Sequence, residues 1–281
     1  MAARPMHAPT SDGEALLLRY HERYPGATTL ALADARDERG RSSYQWLVDD
    51  VAAVAAQRIV DLGCGDGYLF EQLKTPERAL TGVDMSVSEL GAARRRLGDG
   101  ATLVEARAVA LPFADASFDA VVSHLALMLM ERLDVVLAEV ARILQPGGWC
   151  FAIVGLTDDG PVPPVLRVFR KTWLETMGRT PHAVPVIGDP RARSVDGLAA
   201  FFAASGFTEF AAERLIVRRP ATAREVAEHY GLYYPSASLP DAERAAFVDN
   251  LTKALVELER EGEELAVVAT LLHMRARRSS S

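Results

Sequence analysis

One segment restricts the possible folds of this chain more than any other: Ile59-Val60-Asp61-Leu62-Gly63-Cys64-Gly65-Asp66-Gly67. A run of strand length passes directly into three glycines at alternate positions. Glycine lets a backbone turn tightly and approach a ligand closely, because no side chain intervenes. A helix that follows such a turn offers free N–H groups to negative charge. A dinucleotide dehydrogenase would place G-x-G-x-x-G here, but the sixth position is Tyr68. A second apolar run ends at Asp84, 21 positions after Gly63. An acid at that distance, at the tip of the next strand, can accept hydrogen bonds from both hydroxyls of a ribose.

The glycine loop sits in an alternating pattern. Strand-length apolar runs occur at Arg58–Leu62, Ala79–Val83, Thr102–Ala106, Phe118–Ser123 and Trp149–Val154. Helix-like stretches at about 67–74, 86–97 and 131–144 separate them, and Pro146-Gly147-Gly148 predicts a sharp turn into the fifth strand. Such alternation predicts a parallel sheet with helices on both faces. Before it, residues 11–57 read as helical, with Ser11 and Glu14 spaced as a capping box and a break at Pro25-Gly26. After it comes a Pro- and Gly-rich stretch, 157–193, around the amphipathic piece Val165–Met177. A helix at about 195–205, a strand near 209–217, helices over 221–262 interrupted at Pro235 and Pro240, and a last strand at 265–273 complete the chain.

Four blocks carry a family resemblance: VDLGCGDG at 60–67, LTGVDMS at 80–86, ALPFADASFDAVVS at 110–123 and EVARILQPGG at 139–148. In this order they resemble a class I S-adenosylmethionine-dependent methyltransferase, and small-molecule, natural-product members in particular. The resemblance implies an α/β, Rossmann-like sheet of seven strands, mostly parallel, in the order 3-2-1-4-5-7-6. It also implies one domain over 1–281: a helical N-terminal cap at 1–57, a cofactor-binding core at 58–156, lid insertions at 157–193 and 221–262, and the two late strands. S-adenosylmethionine is the implied cofactor and S-adenosylhomocysteine the product. Matched position by position, Asp61, Gly63 and Gly65 hold the methionine part, Asp84 the ribose, and Met85 the adenine. Tyr44, with Ser43, lies on the helix that closes over the cofactor carboxylate, and Ser123 sits beside the reactive methyl. The chain departs from the pattern at Arg107-Ala108-Val109, where many relatives have Asp-Ala-Glu. The acid that accepts the adenine amino group is missing, and the backbone of Ala108 and Val109 is expected to serve instead.

His124 follows Ser123 and is the candidate general base, since imidazole titrates near neutral pH; the alternative is a polar residue that shapes the pocket. Residues 123–130, SHLALMLM, contain no acid, so no metal is expected. Their apolar character suggests an apolar or aromatic acceptor, with Met128 in its wall. Tyr230, Tyr233 and Tyr234 in the second insertion, His182 in the first, and Tyr20 and Tyr24 in the cap are further acceptor-binding candidates. The tyrosines could equally stack on a planar ligand or simply pack.

The formal charge of −7, from 31 basic and 38 acidic residues, argues against a surface that binds nucleic acid through phosphates. No stretch of about 18 apolar residues predicts a membrane span. Cys64 and Cys150 match neither a disulfide framework nor a zinc spacing. A cytoplasmic monomer or homodimer that methylates nitrogen or oxygen of a small acceptor is expected. The alternatives are a methyltransferase for RNA or protein, and a protein that uses the sulfonium without transferring methyl.

Overall fold

The computed structural model describes residues 9–156, 161–178 and 185–280. Seven strands form one sheet: β1 (Arg58–Leu62), β2 (Ala79–Asp84), β3 (Thr102–Glu105), β4 (Phe118–His124), β5 (Leu144–Gly155), β6 (Phe207–Pro220) and β7 (Ala266–Arg278). Their order is β3-β2-β1-β4-β5-β7-β6, as the resemblance implied. The first five run parallel, and β7 pairs antiparallel with both β5 and β6.

Side chains alternate across a sheet that is covered on both faces. Val60, Leu62, Val121 and Val154 enter a core that includes Leu133, Leu137 and Phe202. Their neighbours Ile59, Val122 and Ile153 enter a second core with Leu47, Leu69 and Phe70. Each fully buried side chain of this size stabilises the fold by about 1.5–3 kcal/mol. The helices on and around these faces are α1 (Asp12–Arg23), α2 (Ala27–Leu32), α3 (Ser43–Ala53), α4 (Tyr68–Leu73), α5 (Val87–Leu97), α6 (Leu133–Ile143), α7 (Pro164–Met177) and α8 (Val195–Ala204). The second insertion contains α9 (Ala223–Gly231), α10 (Tyr234–Ala237) and α11 (Asp241–Arg260). With α7 it builds a third apolar cluster around Tyr230, Phe247, Leu251 and Val267.

Local chemistry sets the boundaries, and three differ from expectation. The Ser11 hydroxyl accepts from the Glu14 N–H at 3.0 Å, but the Glu14 carboxylate turns to Thr10 instead of closing the capping box. Strand β5 begins at Leu144, so Pro146-Gly147-Gly148 lies inside it as an irregularity where the pairing with β4 shifts. Of the two breaks in the second insertion, the later one ends at Pro240, as expected, where α11 begins, but the earlier one falls at Leu232 and Tyr233. Pro235 instead occupies the first turn of α10, where its missing N–H is not needed.

Candidate active site

All the parallel strands point their C-terminal ends at one edge of the sheet, and the glycine loop leaves β1 there. Gly63, Gly65 and Gly67 all have positive φ, at 76°, 53° and 78°. A Cβ on Gly63 would come 2.3 Å from Cβ of Ala126, in the loop after β4. The loop is therefore cradled by the neighbouring strand end, and only glycine fits. Above it lies a cavity of about 380 Å³ lined by Tyr44, Asp61, Gly63, Gly65, Asp84 and Met85, and further on by Ala108, Val109 and His124.

Carboxylates dominate the polar groups of this cavity: Asp61, Asp66, Asp84 and Glu89 all line it. Asp61 is 2% exposed, and its Oδ1 has no hydrogen-bond partner. Burial, then the nearby Asp84 and Asp66, pushes its pKa well above the ordinary 3.8. Asp84 accepts the N–H groups of Gly65 at 2.9 Å and Ser86 at 2.8 Å, which tie the strand tip to the loop. Burial raises its pKa too. A buried acceptor left without a partner costs stability, and clustered carboxylates repel one another. A ligand carrying positive charge and N–H donors would relieve both. Among the described residues no group of three or more His, Cys, Asp or Glu is placed to hold a metal ion.

The cap closes the cavity from the side. His21 on α1 pairs with Glu89 at 2.7 Å, and Glu89 also accepts the Gly26 N–H. Thr29 on α2 donates to Asp66 at 2.7 Å. Arg107, where the family pattern has an acid, pairs with Glu14 at 2.5 Å and donates to Thr10. The departure in sequence thus clamps α1 onto the core. On its other side α1 reaches the insertion: the Tyr20 hydroxyl donates to the Leu232 carbonyl at 2.8 Å, and Arg23 pairs with Asp241.

A second, larger cavity of about 770 Å³ adjoins the first. Thr28, Leu125, Leu129 and Tyr234 line both. Its walls are mostly apolar, including Met128, Leu156, Phe169 and Tyr233.

His124 lies in the wall of the first cavity with 8% exposure. Its ring stacks on Tyr44, with centroids 3.8 Å apart, and its Nε2 is hydrogen-bonded to the Ser43 hydroxyl at 2.9 Å. Burial lowers its pKa to about 3, so the imidazole is neutral and a weak proton acceptor near pH 7.

Of the acceptor candidates, Tyr20, Met128, Tyr233 and Tyr234 line the second cavity. Three expected site residues are placed elsewhere. Ser123 is buried and donates to the Leu62 carbonyl at 2.8 Å, bracing β4 against β1 because its side chain points into the sheet. Tyr230 is fully buried; its hydroxyl donates to the Val268 carbonyl, so it packs the insertion onto β7. Tyr24 lines neither cavity; it packs on Tyr20 and its hydroxyl accepts from Arg244. His182 lies outside the described residues. Sequence reasoning missed Asp66, Glu89, His21 and Thr29. Asp66 sits within the glycine motif itself, whereas nothing local marks Glu89 or the cap residues, whose role depends on how the cap docks.

Residues 60–152 match a protein-family profile described as Methyltransferase domain. The chain is 36% identical over 124 residues to the biotin biosynthesis bifunctional protein BioHC of Saccharophagus degradans, covering 43% of this chain and 21% of that protein. It is 34% identical over 146 residues to the fatty-acid O-methyltransferase of Mycolicibacterium smegmatis, covering 49% and 52%. The chain thus spans about half, or less, of these relatives. In fold it is similar to the crystal structure of the 4+2 cyclase SpnF, with a TM-score of 0.56, 19% identity and 98% of each chain covered.

Proposed function

We propose that this chain, a class I S-adenosylmethionine-dependent methyltransferase, moves a methyl group to a nitrogen or oxygen of a small, largely apolar or aromatic acceptor. The observation that carries the reading is a pair of adjoining cavities: one at the glycine loop with Asp61, Asp66, Asp84 and Glu89 in its lining, and one about twice as large with mostly apolar walls. S-adenosylmethionine, when bound, supplies a methyl group on a positively charged sulfur.

The residues present fit that group. Asp61 offers its unpartnered Oδ1 to the amino group of the methionine part. Asp84 offers its remaining lone pairs to the ribose, and Met85 with Ala108 and Val109 encloses the base. Gly63 permits the approach that any side chain would block. The other residues align and exclude. Helices α1 and α2 and Tyr234 cover the junction of the cavities and keep water from it, while Leu125 and Leu129 hold the acceptor body. Alignment of this kind supplies much of the rate of a displacement reaction.

In this reading His124 stays neutral and fixes Tyr44, and the acceptor brings its own lone pair. The size of the second cavity, about 770 Å³, favours a small molecule over an RNA or a protein. The reading is tested by incubating the protein with S-adenosylmethionine and a set of small apolar amines, phenols and acids. S-adenosylhomocysteine should form in step with one methylated product. Tight binding of S-adenosylhomocysteine with no methylated product from any of them would instead favour a protein that uses the cofactor without transfer.

A further inference from the structure

The second cavity contains an unexplained charge. Arg193 ends the short turn Pro190–Arg193 and lines the cavity. It is half-buried. Among the described residues no carboxylate pairs with it and no hydrogen bond holds it; its electrostatic neighbour is the Tyr234 phenol. The carboxylates that line the same cavity are engaged elsewhere: Glu225 accepts from Thr222 at 2.8 Å, and Glu228 pairs with Arg224 at 2.7 Å.

The turn that presents Arg193 is fixed. Asp189 accepts the Arg191 N–H at 2.9 Å, Ala192 is fully buried, and a Cβ on Gly188 would meet the Met128 carbonyl at 2.1 Å. The backbone that carries Arg193 is therefore fixed at the wall, and its side chain lines the cavity. A second polar atom in the same cavity is also unmatched: His229 lines it, and its buried Nε2 has no partner.

A partly desolvated charge is stabilised by an anionic partner, and guanidinium presents a planar fork that matches a carboxylate. We propose that the second cavity binds an acceptor bearing one carboxylate, held by Arg193, with an apolar or aromatic body against Phe169 and Tyr233. His229 takes a hydrogen bond from, or gives one to, an uncharged polar group of the same molecule. This inference rests on the second cavity being the acceptor site, as proposed above.

The test compares cinnamate, cinnamamide and cinnamylamine, which share a body and differ in charge. Each is titrated into protein saturated with S-adenosylhomocysteine. Cinnamate should bind at least about tenfold more tightly than either of the others, as expected for a charge-assisted pair. Arg193→Leu should bring the three within about twofold, Arg193→Lys should keep part of the preference, and the affinity of both variants for S-adenosylhomocysteine should not change, which controls for folding. Equal binding of the three, binding of none, or a preference that survives Arg193→Leu overturns the inference. Failure of S-adenosylhomocysteine to bind the unaltered protein would sink the proposed function instead. The three probes, titrated into ligand-free protein, then still decide whether the cavity selects a carboxylate.

Discussion

Asp61 is the residue whose replacement reads the site most directly. Asp61→Asn keeps the shape but removes the charge, and a lost charge-assisted hydrogen bond is worth about 1.5–3 kcal/mol. Calorimetric titration with S-adenosylhomocysteine should show a loss of affinity of about tenfold or more, while affinity within about twofold of the parent would remove Asp61 from the site. His124 gives the opposite expectation. With its pKa at about 3 and Nε2 engaged by Ser43, His124→Gln should reduce turnover only several-fold and leave the pH profile above pH 5 unshifted. A fall of about a hundredfold with loss of a titrating limb would restore it as the base. These residues also show what a sequence can and cannot reveal at this scale. Asp61, Gly63, Gly65 and Asp84 were legible as the lining of one cavity because fixed spacing along the chain brings them to the same strand ends. Ser123 and His124 are neighbours, yet alternation on β4 sends the first into the sheet and leaves the second in the cavity wall. Tyr230 and Tyr233 differ in the same way on the insertion, and only packing decides which ring meets the ligand.

Among the elements, the glycine loop tolerates least. Gly63→Ala adds left-handed strain at φ 76° and a clash with Ala126. It should lower stability by more than the roughly 1–2 kcal/mol of αL strain alone and abolish S-adenosylhomocysteine binding. Gly40→Ala is the control: φ is 77° but nothing lies within 4 Å. It should cost about 1–2 kcal/mol in a urea melt with ligand affinity intact; equal losses of affinity in the two variants would show that the loop is only a turn. The strands of the core were readable because both faces are buried, which leaves short continuous apolar runs bounded by turns. The start of β5 was not, because Pro146 and Gly147 punctuate a strand that the sheet accommodates with a bulge. Thr222 and Glu225 form a full capping box for α9, a start signal carried by the sequence itself.

At the scale of the molecule, the acid-lined cavity links ligand binding to pH. The pKa values of Asp61 and Asp84 are raised in the folded chain. A carboxyl raised on folding contributes stability that is complete below its unfolded pKa and is lost as pH rises through its folded one. Ligand-free protein should therefore lose stability from these groups above the ordinary carboxylate range. A ligand whose ammonium group stabilises the ionised form should restore it. Thermal melts at about pH 5 and about pH 8 should show S-adenosylhomocysteine raising the melting temperature more at the higher pH; an equal shift at both would show that the raised carboxyls do not meet the ligand. The cap and insertion that complete the site could not be placed from sequence, since α1 is tied by long-range contacts to Glu89 on one side and Leu232 on the other. Tyr234 belongs to both cavities, and its ring rests on Tyr20 with centroids 4.5 Å apart. It is a party wall between two tenants. A ligand that shifts the ring from one side would change the wall met from the other, and thermodynamic linkage would then require each ligand to alter the affinity of its neighbour by the same factor.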